Sequence, residues 1–514
     1  MTVTFCPLEK NLAEIASALD SGATSSVELV RYYQRRIAEL DHAGPRVNAV
    51  STLTAGALDD AAALDRERAT HGARGRLHGV PLLVKDNIDV AGLTTTAGSV
   101  ALERCLPERD ADVVAALRRA GAIVLGKTNM SEFASSNGRP GYSSAAGLTV
   151  NPYDLGRDAS GSSSGSAAAV TTCFAAAALG TDTFGSVRGP ASVTGIAALR
   201  PTHGLLSCNG VVPLASIFDT VGPMSRWVED LPLLMNALVA CENTAHHAQP
   251  VVRPTHVSYR EALDASAIKD ARIGVLDGLP VGHPDVASTF NSAIATLRAA
   301  GAIIERVTLS TDLATLMRDT LAPLAGAQFA AEIARYLEKC PADSPKSLSD
   351  IIARLAAHDS ATNGRDVNPA TFEKLLYPAL QLAQLDATVL AALIQRLEAF
   401  RASVRDWFDG GISALFFPTH LSVAAPRFDQ FNPSALQFDG NPMVPSYLAT
   451  AAGLPELTMP AGFCRGGLPI GVSFVGAPFA EQTLMDLSYS FQTRQNARVA
   501  PSLTECPASP AIPG

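Results

Sequence analysis

The sequence carries little charge for its length, and the charge that it has is mainly acidic. Of its 514 residues, 17% are charged, and the formal net charge at pH 7 is −9. A nucleic-acid-binding face needs clustered basic residues, and the chain contains no run of Lys or Arg. This composition argues against a nucleic-acid partner.

Leader-like segments, long apolar runs and closely spaced cysteines are also missing. The opening residues, MTVTFCPLEK, have neither a basic segment nor an apolar core, and no uninterrupted apolar stretch is long enough to span a bilayer. We therefore expect cytoplasmic residence and no membrane segment. The eight cysteines lack CxxC spacing, which favours reduced thiols over a disulfide framework or a zinc site. The histidines likewise lack HExxH-like spacing, so we expect no metal.

Apolar residues are plentiful, at 47% of the chain, and they follow an α/β order. A capped helix is predicted to begin near Ser25, and a strand is predicted over 48–53. The segment 112–125 predicts a helix, a glycine and a strand, and a similar phrase, LRAAGAII, recurs at 297–304. Two copies are too few for a repeat architecture. From about 245 to 410 the pattern turns helical.

Two serine clusters flank a short apolar run in the segment SGSSSGSAAAVTTCFAAAALGTDTFGSVR, residues 160–188. The run 166–179 predicts about four turns of buried helix. Glycines on either side allow sharp turns whose N–H groups can point at a ligand. Ser162 and Ser186 would then be loop serines at opposite ends of one rigid element. Serine is a poor nucleophile alone, so a base is required.

The candidate base is Lys85, which directly follows the apolar run 80–84, a predicted buried strand. With a reference pKa near 10.4, only about one lysine in 2,500 is neutral at pH 7. A base role therefore needs a pKa lowered by roughly three units, and burial at the end of a strand can supply that shift.

These segments resemble the amidase signature family of serine hydrolases. The resemblance rests on GVPLLVKDNI, SGSSSGSAAA and GTDTFGSVRGPAS, and further segments such as LGKTNMSEFA, LRPTHGLLS and LPELTMPAGFCRGGLPIGVSFVGAPF agree with it. It implies an α/β fold, in which a mixed β-sheet core is flanked by helices on both faces. It also implies a single amidase domain over 1–514, with a signature core at about 75–230 and 411–495 and a variable helical pocket region at about 245–410.

The resemblance implies a Ser–cis-Ser–Lys triad in which Ser186 is the nucleophile, Ser162 the relay and Lys85 the base. Ser163 would support the proton network. The implied oxyanion hole consists of backbone N–H groups, whose hydrogen bonds strengthen as the substrate oxygen becomes negative. These are the N–H groups of Thr183, Phe184, Gly185 and Ser186.

Phe184 departs from the family pattern, which has paired glycines before the nucleophile. A bulky residue in this turn must keep a negative φ or store strain, and we expect Phe184 to shape the pocket. Asp182 and Arg188 are expected to be structural, fixing the nucleophile loop through an ion pair or backbone hydrogen bonds.

The activity implied by the resemblance is cofactor-free hydrolysis of a small-molecule carboxamide through a seryl acyl-enzyme, with release of ammonia or a small amine. An amidotransferase subunit that works beside partner subunits is the alternative, as is a carbamate or ureide hydrolase. A catalytically inactive binding protein is disfavoured because all three catalytic residue types are present. The sequence leaves the oligomeric state open, and a homodimer is compatible with it.

Residues 121–128, GAIVLGKT, match the phosphate-loop pattern GxxxxGK[ST]. That loop needs flexible residues between its glycines, with a strand before and a helix after. Here the intervening AIVL is strand-like and a helix precedes it. We therefore interpret the segment as a structural strand that has Lys127 near its end.

The pattern GSSSG at 161–165 matches the GxSxG nucleophile elbow, which would make Ser163 the nucleophile with His203 or His420 as its base. An elbow follows a buried strand, whereas the preceding segment NPYDLGRDA is polar. The elbow is therefore the weaker interpretation.

Overall fold

A mixed sheet of eleven strands forms the centre of the computed structural model, which describes residues 5–240, 257–280, 282–430 and 440–504. Four further short strands form two separate two-stranded sheets, β4 with β5 and β6 with β7. The strands are β1 Val50–Leu53, β2 Pro81–Lys85, β3 Ile123–Thr128, β4 Tyr142–Ser143, β5 Gly147–Leu148, β6 Val150–Asn151, β7 Asp154–Asp158, β8 Ala177–Asp182, β9 Ala197–Arg200, β10 Thr220–Ser225, β11 Arg272–Asp277, β12 Ile303–Thr308, β13 Ala414–Pro418, β14 Glu456–Phe463 and β15 Pro469–Val475.

The strand order of the large sheet is β1-β3-β2-β8-β10-β9-β14-β15-β13-β11-β12. β2 pairs in parallel with both β3 and β8, and β11 pairs in parallel with β12 and β13, whereas the remaining pairs are antiparallel. Every residue of β2, β3 and β8 is buried, as expected for parallel strands covered on both faces. The predicted α/β class with a mixed sheet is confirmed.

Helices flank the sheet, and several begin where the sequence predicts. Ser25 accepts a hydrogen bond from the Glu28 N–H, and the Glu28 side chain accepts one from the Ser25 N–H, forming the predicted cap. The helices are α1 Leu12–Asp20, α2 Ser26–Arg36, α3 Ala57–His71, α4 Asp112–Arg119, α5 Ser164–Thr171, α6 Arg188–Thr194, α7 Leu231–Val239, α8 Pro284–Ala299, α9 Leu313–Leu316, α10 Ala322–Leu337, α11 Leu348–Ala361, α12 Pro369–Thr371, α13 Tyr377–Leu382, α14 Ala387–Asp409, α15 Tyr447–Ala452 and α16 Glu481–Gln495.

Within the described ranges, none of the helices by itself has both the length and the apolar composition needed to cross a membrane. The two consecutive segments Pro369–Leu382 and Ala387–Asp409 meet the length and composition criteria only when they are counted together, and a bend of 116° separates them.

The small-residue run between the two serine clusters is not one four-turn helix, so that prediction is wrong. Helix α5 ends at Thr171, Cys173 takes a positive φ of 55°, and the chain returns as strand β8. The strand forms because Ala177–Leu179 pair with both β2 and β10, and these tertiary pairings override the helical preference of the alanine-rich segment. Ser162 and Ser186 therefore lie at the same end of a helix–strand unit, not at opposite ends.

Within 245–410, the described residues 257–280 and 282–410 form four long helices, α8, α10, α11 and α14, and also two strands of the main sheet. β11 and β12 lie at the edge of the sheet, and α8 connects them. The unit α8–β12 repeats the α4–β3 unit, and glycines with positive φ, Gly301 at 94° and Gly121 at 85°, end the two helices. Both predicted helix–glycine–strand units are therefore confirmed.

Cys105 and Cys340 form a disulfide, with Cα atoms 5.1 Å apart, although reduced thiols were expected. The two residues are 235 positions apart in the chain, so no local spacing reveals the pair. Cys340 follows α10, and the bond therefore joins the helical region to the loop before α4. Because disulfides persist mainly in oxidising compartments, the pair does not support the cytoplasmic residence expected from the sequence.

Reduction of this disulfide is expected to lower the free energy of unfolding by about 2–5 kcal/mol, because the bond closes a very long loop in the unfolded chain. Thermal unfolding with and without a thiol reductant measures the effect, and Cys173→Ala, which removes a buried free thiol, is the control for cysteine loss alone. An unreduced digest that lacks the linked Cys105–Cys340 peptides would contradict the pairing.

Candidate active site

A cavity of about 1220 Å³ opens beside the two serine clusters. Ser186 and Phe184 line it from the turn 183–187, which we call the nucleophile turn because it carries the predicted nucleophile. Ser160 and Gly161 line it from the serine loop, residues 160–163. Ser162 lies beneath this surface and is fully buried. The remaining wall comes from Asp158, Val193 and Leu214 and from residues within the segments 134–140, 317–329, 374–382, 420–430 and 440–447.

The parallel pairing of β2 with β8 places Lys85 and the turn that carries Ser186 at the same edge of the sheet. Lys85 is the last residue of β2, and Val84 pairs with Leu179 of β8. Parallel strands end at the same edge, where ligands of open α/β sheets bind. The turn after β8 carries Ser186, so the lysine and the second serine cluster meet at this edge.

Lys85 Nζ lies 2.7 Å from Ser162 Oγ and 2.8 Å from Thr181 Oγ1, and it is 3.3 Å from the Thr181 carbonyl oxygen. A neutral amine offers two N–H donors and one lone pair, which match these three contacts. If the two N–H bonds donate to Thr181, the lone pair faces the Ser162 hydroxyl. Asn87 Nδ2 also donates to Thr181 Oγ1, at 3.0 Å, and helps to fix this geometry.

Burial lowers the pKa of Lys85 to about 7, against the opposing charges of Asp182 and Asp219. The side chain is fully buried, and the described residues place no carboxylate within ion-pair distance of Nζ. A lowered pKa is the direction that a base role requires, because it increases the neutral fraction of the amine at neutral pH.

The serine loop reaches the nucleophile turn through the backbone. The Gly161–Ser162 peptide bond is cis, and the Ser163 N–H donates to the Ser186 carbonyl oxygen at 3.1 Å. Among the described residues, Ser186 Oγ has no hydrogen-bond partner. The serine loop and the turn that carries Ser186 are thus joined by a backbone hydrogen bond and not by the Ser186 hydroxyl.

The GxSxG alternative finds no support in this geometry. Ser163 Oγ donates to the Thr181 carbonyl oxygen at 3.1 Å and accepts from the Thr181 N–H at 3.3 Å, so it lies within the structure of the loop. His203 Nε2 lies 2.8 Å from the Ser216 carbonyl oxygen, and His420 Nδ1 lies 2.6 Å from that of Ser422. No hydrogen bond in the described chain joins either histidine to Ser163.

A fully buried cluster of charges holds the nucleophile turn. Asp182 Oδ1 accepts from Arg188 Nη2 at 2.7 Å and from Arg200 Nη1 at 2.9 Å, and Glu456 pairs with the other side of Arg188. Burial alone raises the pKa of Asp182, but the two guanidinium groups outweigh it and hold that pKa well below its usual range. Asp182 also accepts from the Gly185 and Val187 N–H groups, at 3.0 and 2.9 Å, and so fixes both sides of Ser186.

Three of the four N–H groups expected in the oxyanion hole are free within the described chain: those of Thr183, Phe184 and Ser186. The fourth, at Gly185, donates to Asp182. Gly185 takes the positive φ of the turn, 107°, whereas Phe184 does not have a positive φ. The phenylalanine therefore fits the turn without left-handed strain.

Phe184 also forms part of the cavity wall, as the sequence suggests. Its ring centroid lies 5.5 Å from that of Phe218 and 6.3 Å from that of Tyr447. Both separations are typical of packed aromatic pairs.

The phosphate-loop pattern is confirmed as a structural strand. Residues 123–128 form β3, and Lys127 Nζ lies 3.1 Å from Asp86 Oδ1 and 3.2 Å from Thr95 Oγ1. Lys127 is fully buried, so its charge serves this internal pair. No group of three or more His, Cys, Asp or Glu residues in the described ranges could hold a metal ion.

Thr181, Asn87 and Asp219 belong to the site but were not selected from the sequence. Asp219 Oδ1 accepts from the Thr183 hydroxyl at 2.6 Å, and its Oδ2 accepts from the Leu214 and Ala215 N–H groups, each at 2.9 Å. Thr181 and Asn87 lie within the two motifs already recognised, one residue before Asp182 and two after Lys85. Thr181 and Asn87 could have been selected from the sequence because they lie next to predicted site residues. Nothing in the sequence around Asp219 indicates that it belongs to the site.

A family model described as Amidase matches residues 28–485. A glutamyl-tRNA(Gln) amidotransferase subunit from Halorhodospira halophila is 35% identical over 499 residues, which cover 94% of this chain and 97% of that protein. The solved structure of peptide amidase from Stenotrophomonas maltophilia matches with a TM-score of 0.85 and 33% identity, over 97% of this chain and 99% of that chain. For the corresponding glutamyl-tRNA(Gln) amidotransferase subunit from Thermotoga maritima the TM-score is 0.71 and the identity 25%, over 96% and 98%. The chain therefore belongs to the amidase signature family.

Proposed function

We propose that the chain hydrolyses a carboxamide of a small molecule through an acyl-enzyme on Ser186, with Ser162 as the relay and Lys85 as the base. The observation that carries this proposal is the 2.7 Å contact between Lys85 Nζ and Ser162 Oγ. It joins a base whose pKa is lowered to about 7 by burial to a fully buried hydroxyl, in the loop whose Ser160 and Gly161 line the cavity. No cofactor enters the proposal.

The proposed proton path runs from Ser186 to Ser162 and then to Lys85. Neutral Lys85 accepts the Ser162 proton as Ser162 accepts that of Ser186, and Ser186 Oγ attacks the amide carbon. The C–N bond breaks when the same path returns the proton to the leaving nitrogen, so ammonia or an amine departs neutral. Water then enters and is activated by the same groups, which releases the acid and restores Ser186.

The nucleophile turn supplies the electrostatic part of the mechanism. The free N–H groups of Thr183, Phe184 and Ser186 are the proposed donors to the oxyanion that forms on the substrate carbonyl. Asp182 holds the turn through the Gly185 and Val187 N–H groups, so the donors are in place before substrate binds. Arg188 has a positioning role, because it contacts Asp182 and Glu456 but does not line the cavity.

A second candidate is an amidotransferase subunit that works with partner subunits. It is favoured by the curated relatives, such as the 35% identical protein of Halorhodospira halophila. The structural matches favour the hydrolase instead, since the TM-score is 0.85 for the peptide amidase and 0.71 for the amidotransferase protein. Carbamate or ureide hydrolysis would use the same groups, because each of these substrates offers a carbonyl carbon bound to nitrogen.

The function is tested by ammonia and amine release from the purified chain, alone, across primary amides, anilides, carbamates and ureides. We expect turnover of at least one primary amide or anilide, together with a mass increase on Ser186 in rapidly quenched samples. Turnover only of carbamates or ureides would transfer the proposal to those substrates. No turnover by the chain alone, with turnover restored by amidotransferase partner subunits, would favour the second candidate.

The value of kcat/KM is expected to rise with pH through about 7 and then level off, because only the neutral form of Lys85 can accept a proton. Below this pH it should fall about tenfold per unit. Burial also raises the pKa of Asp219 to about 7, so the inflection alone does not identify the group. An ammonium group ionises with a large enthalpy and a carboxyl group with almost none, so the inflection should move to lower pH on warming. A temperature-independent inflection would contradict the assignment to Lys85.

A further inference from the structure

Two buried acceptors line the active-site cavity where the end of β7 meets the segment 420–430, joined by a hydrogen bond from the Asp158 N–H to the Ala425 carbonyl oxygen at 2.9 Å, and the proposed mechanism uses neither. Asp158 and His420 both line the cavity that contains Ser186, and each is only 6% exposed. Asp158 is the last residue of β7, and His420 lies two residues after β13. A side chain buried to this degree has little contact with bulk water, so its polar atoms need partners within the protein or a ligand.

Asp158 has no cationic partner in the described part of the chain. Its Oδ1 accepts from the Ser160 N–H at 2.9 Å, and no side chain donates to either oxygen. The neighbouring Arg157 lies 3.5 Å from Asp154 and donates to the Ala424 carbonyl oxygen at 3.1 Å. Burial raises the pKa of Asp158 to about 7, although the Ser160 amide, the Arg157 charge and the Ala425 amide oppose it. A buried, ionised carboxylate without a counter-ion has an unfavourable free energy, which the binding of a positively charged group would lower.

Two of the three cationic residues that line the cavity are paired with carboxylates, and the third, Lys374, is exposed and forms no ion pair among the described residues. Arg427 forms an ion pair with Asp429 at 2.6 Å, and Arg318 forms one with Asp319 at 2.7 Å. Among the carboxylates that line the cavity, which within the described ranges are Asp158 and Asp429, only Asp158 therefore lacks a counter-ion.

His420 adds a second acceptor to the same part of the cavity. Its Nδ1 lies 2.6 Å from the Ser422 carbonyl oxygen and 3.3 Å from the Ser422 N–H; because the carbonyl oxygen can only accept, the shorter contact favours the ring proton on Nδ1. Nε2 then carries a lone pair, and it has no hydrogen-bond partner among the residues described. Burial lowers the pKa of His420 to about 4, so the imidazole stays neutral near pH 7 and presents no competing charge.

We propose that Asp158 and His420 bind the ammonium group of an amine-bearing amide substrate. An ammonium group has three donors and no acceptor, which suits a cavity lining that presents a carboxylate and an imidazole lone pair. It also supplies the counter-charge that Asp158 lacks, which a neutral hydroxyl group cannot do. This inference rests on the proposed function, because it names the substrate class of the same cavity.

The test compares primary amides that bear a terminal ammonium group with matched amides that bear a methyl or a hydroxyl group at that position, over a series of chain lengths. In the wild type we expect kcat/KM for the best ammonium substrate to exceed that of its methyl analogue by about tenfold to a hundredfold. Asp158→Asn keeps an acceptor for the Ser160 N–H and should lower this ratio by about tenfold or more. Asp154→Asn changes a half-exposed carboxylate on the same strand, outside the cavity, and should leave the ratio unchanged.

Two results would overturn the inference: a wild-type ratio near one at every chain length, or an unchanged ratio in Asp158→Asn. An equal preference for the hydroxyl analogue would also overturn it, because a hydroxyl brings a donor without charge. A loss of stability in Asp158→Asn would lower turnover of all substrates together and would leave the ratio intact, so it cannot imitate the expected result.

Calorimetric titration of Ser186→Ala with the ammonium and methyl amides gives a readout that does not need turnover. We expect tighter binding of the ammonium ligand, and loss of that difference when Asp158→Asn is added. If no amide is hydrolysed but the binding preference is found, the proposed hydrolysis is wrong and the ammonium site stands. If amides are hydrolysed without a binding preference, the ammonium site is wrong and the hydrolase stands.

Discussion

Replacement of Ser186 by alanine should lower kcat/KM for any accepted amide by about 10⁴-fold or more and should abolish the acyl adduct. Ser186 lines the cavity and is the proposed nucleophile. Residual catalysis by an enzyme without its nucleophile comes from the oxyanion hole and from substrate binding, and it is small in comparison. The change removes one oxygen that makes no hydrogen bond within the described chain, so the free energy of unfolding should be nearly unchanged. Steady-state kinetics and intact-protein mass measure the effect.

Ser163→Ala is the matched control for this experiment. Its hydroxyl donates to the Thr181 carbonyl oxygen at 3.1 Å, so its loss should reduce stability and loosen the site without removing the nucleophile. We expect a smaller fall in kcat/KM and an intact acyl adduct on Ser186. If Ser186→Ala keeps full activity while Ser163→Ala loses it, the nucleophile assignment is wrong and the GxSxG elbow is the better interpretation.

The Asp182→Ala substitution should lower the free energy of unfolding by about 3–5 kcal/mol, because it leaves two buried guanidinium groups short of their counter-charge. Arg188 keeps Glu456, whereas Arg200 loses its ion-pair partner and keeps only carbonyl contacts, to Asp182 and Phe218. The N–H groups of Gly185 and Val187 also lose their acceptor. Chemical denaturation measures the change.

An exposed ion pair provides the control for Asp182. Asp277 pairs with Arg306 at the surface, where solvent screens the charges, and Asp277→Ala should cost less than about 1 kcal/mol. Asp182→Asn keeps the shape and one acceptor oxygen, and it serves if the alanine variant does not fold. Equal stability of the wild type and both Asp182 variants would contradict the structural role of the cluster.

The sequence identifies Lys85 and the serine segments at the edge of the sheet because each of them lies in a short, continuous motif. Lys85 ends a strand that is apolar throughout, and the structure places its Nζ beside Ser162, as the resemblance implies. The roles of the three triad residues stay predictions. The alternation of helix, glycine and strand at 112–125 and 297–304 was readable for the same reason, since each glycine follows the helix that it ends.

Features that depend on distant contacts were missed. The residues 166–179 have the composition of a helix, and only the pairing of β8 with β2 and β10 shows why the chain turns at Cys173. The Cys105–Cys340 disulfide and the Asp219 contacts join segments far apart in the sequence, where no periodicity exists to detect them. Arg200 likewise gives no local sign that it completes the charge cluster around Asp182.

The cavity draws its reacting groups and most of its wall from different parts of the chain. The proposed nucleophile, relay and base all lie between residues 85 and 186, whereas most of the residues that line the cavity belong to 317–329, 374–382, 420–430 and 440–447. Natural selection can therefore alter the wall without disturbing the reactive edge, which allows a new range of accepted amides to evolve by exchange of segments. Transplanting 317–382 between two relatives would, on this view, change the shape of the cavity and the amides that fit it, and would leave the chemistry of bond cleavage unchanged.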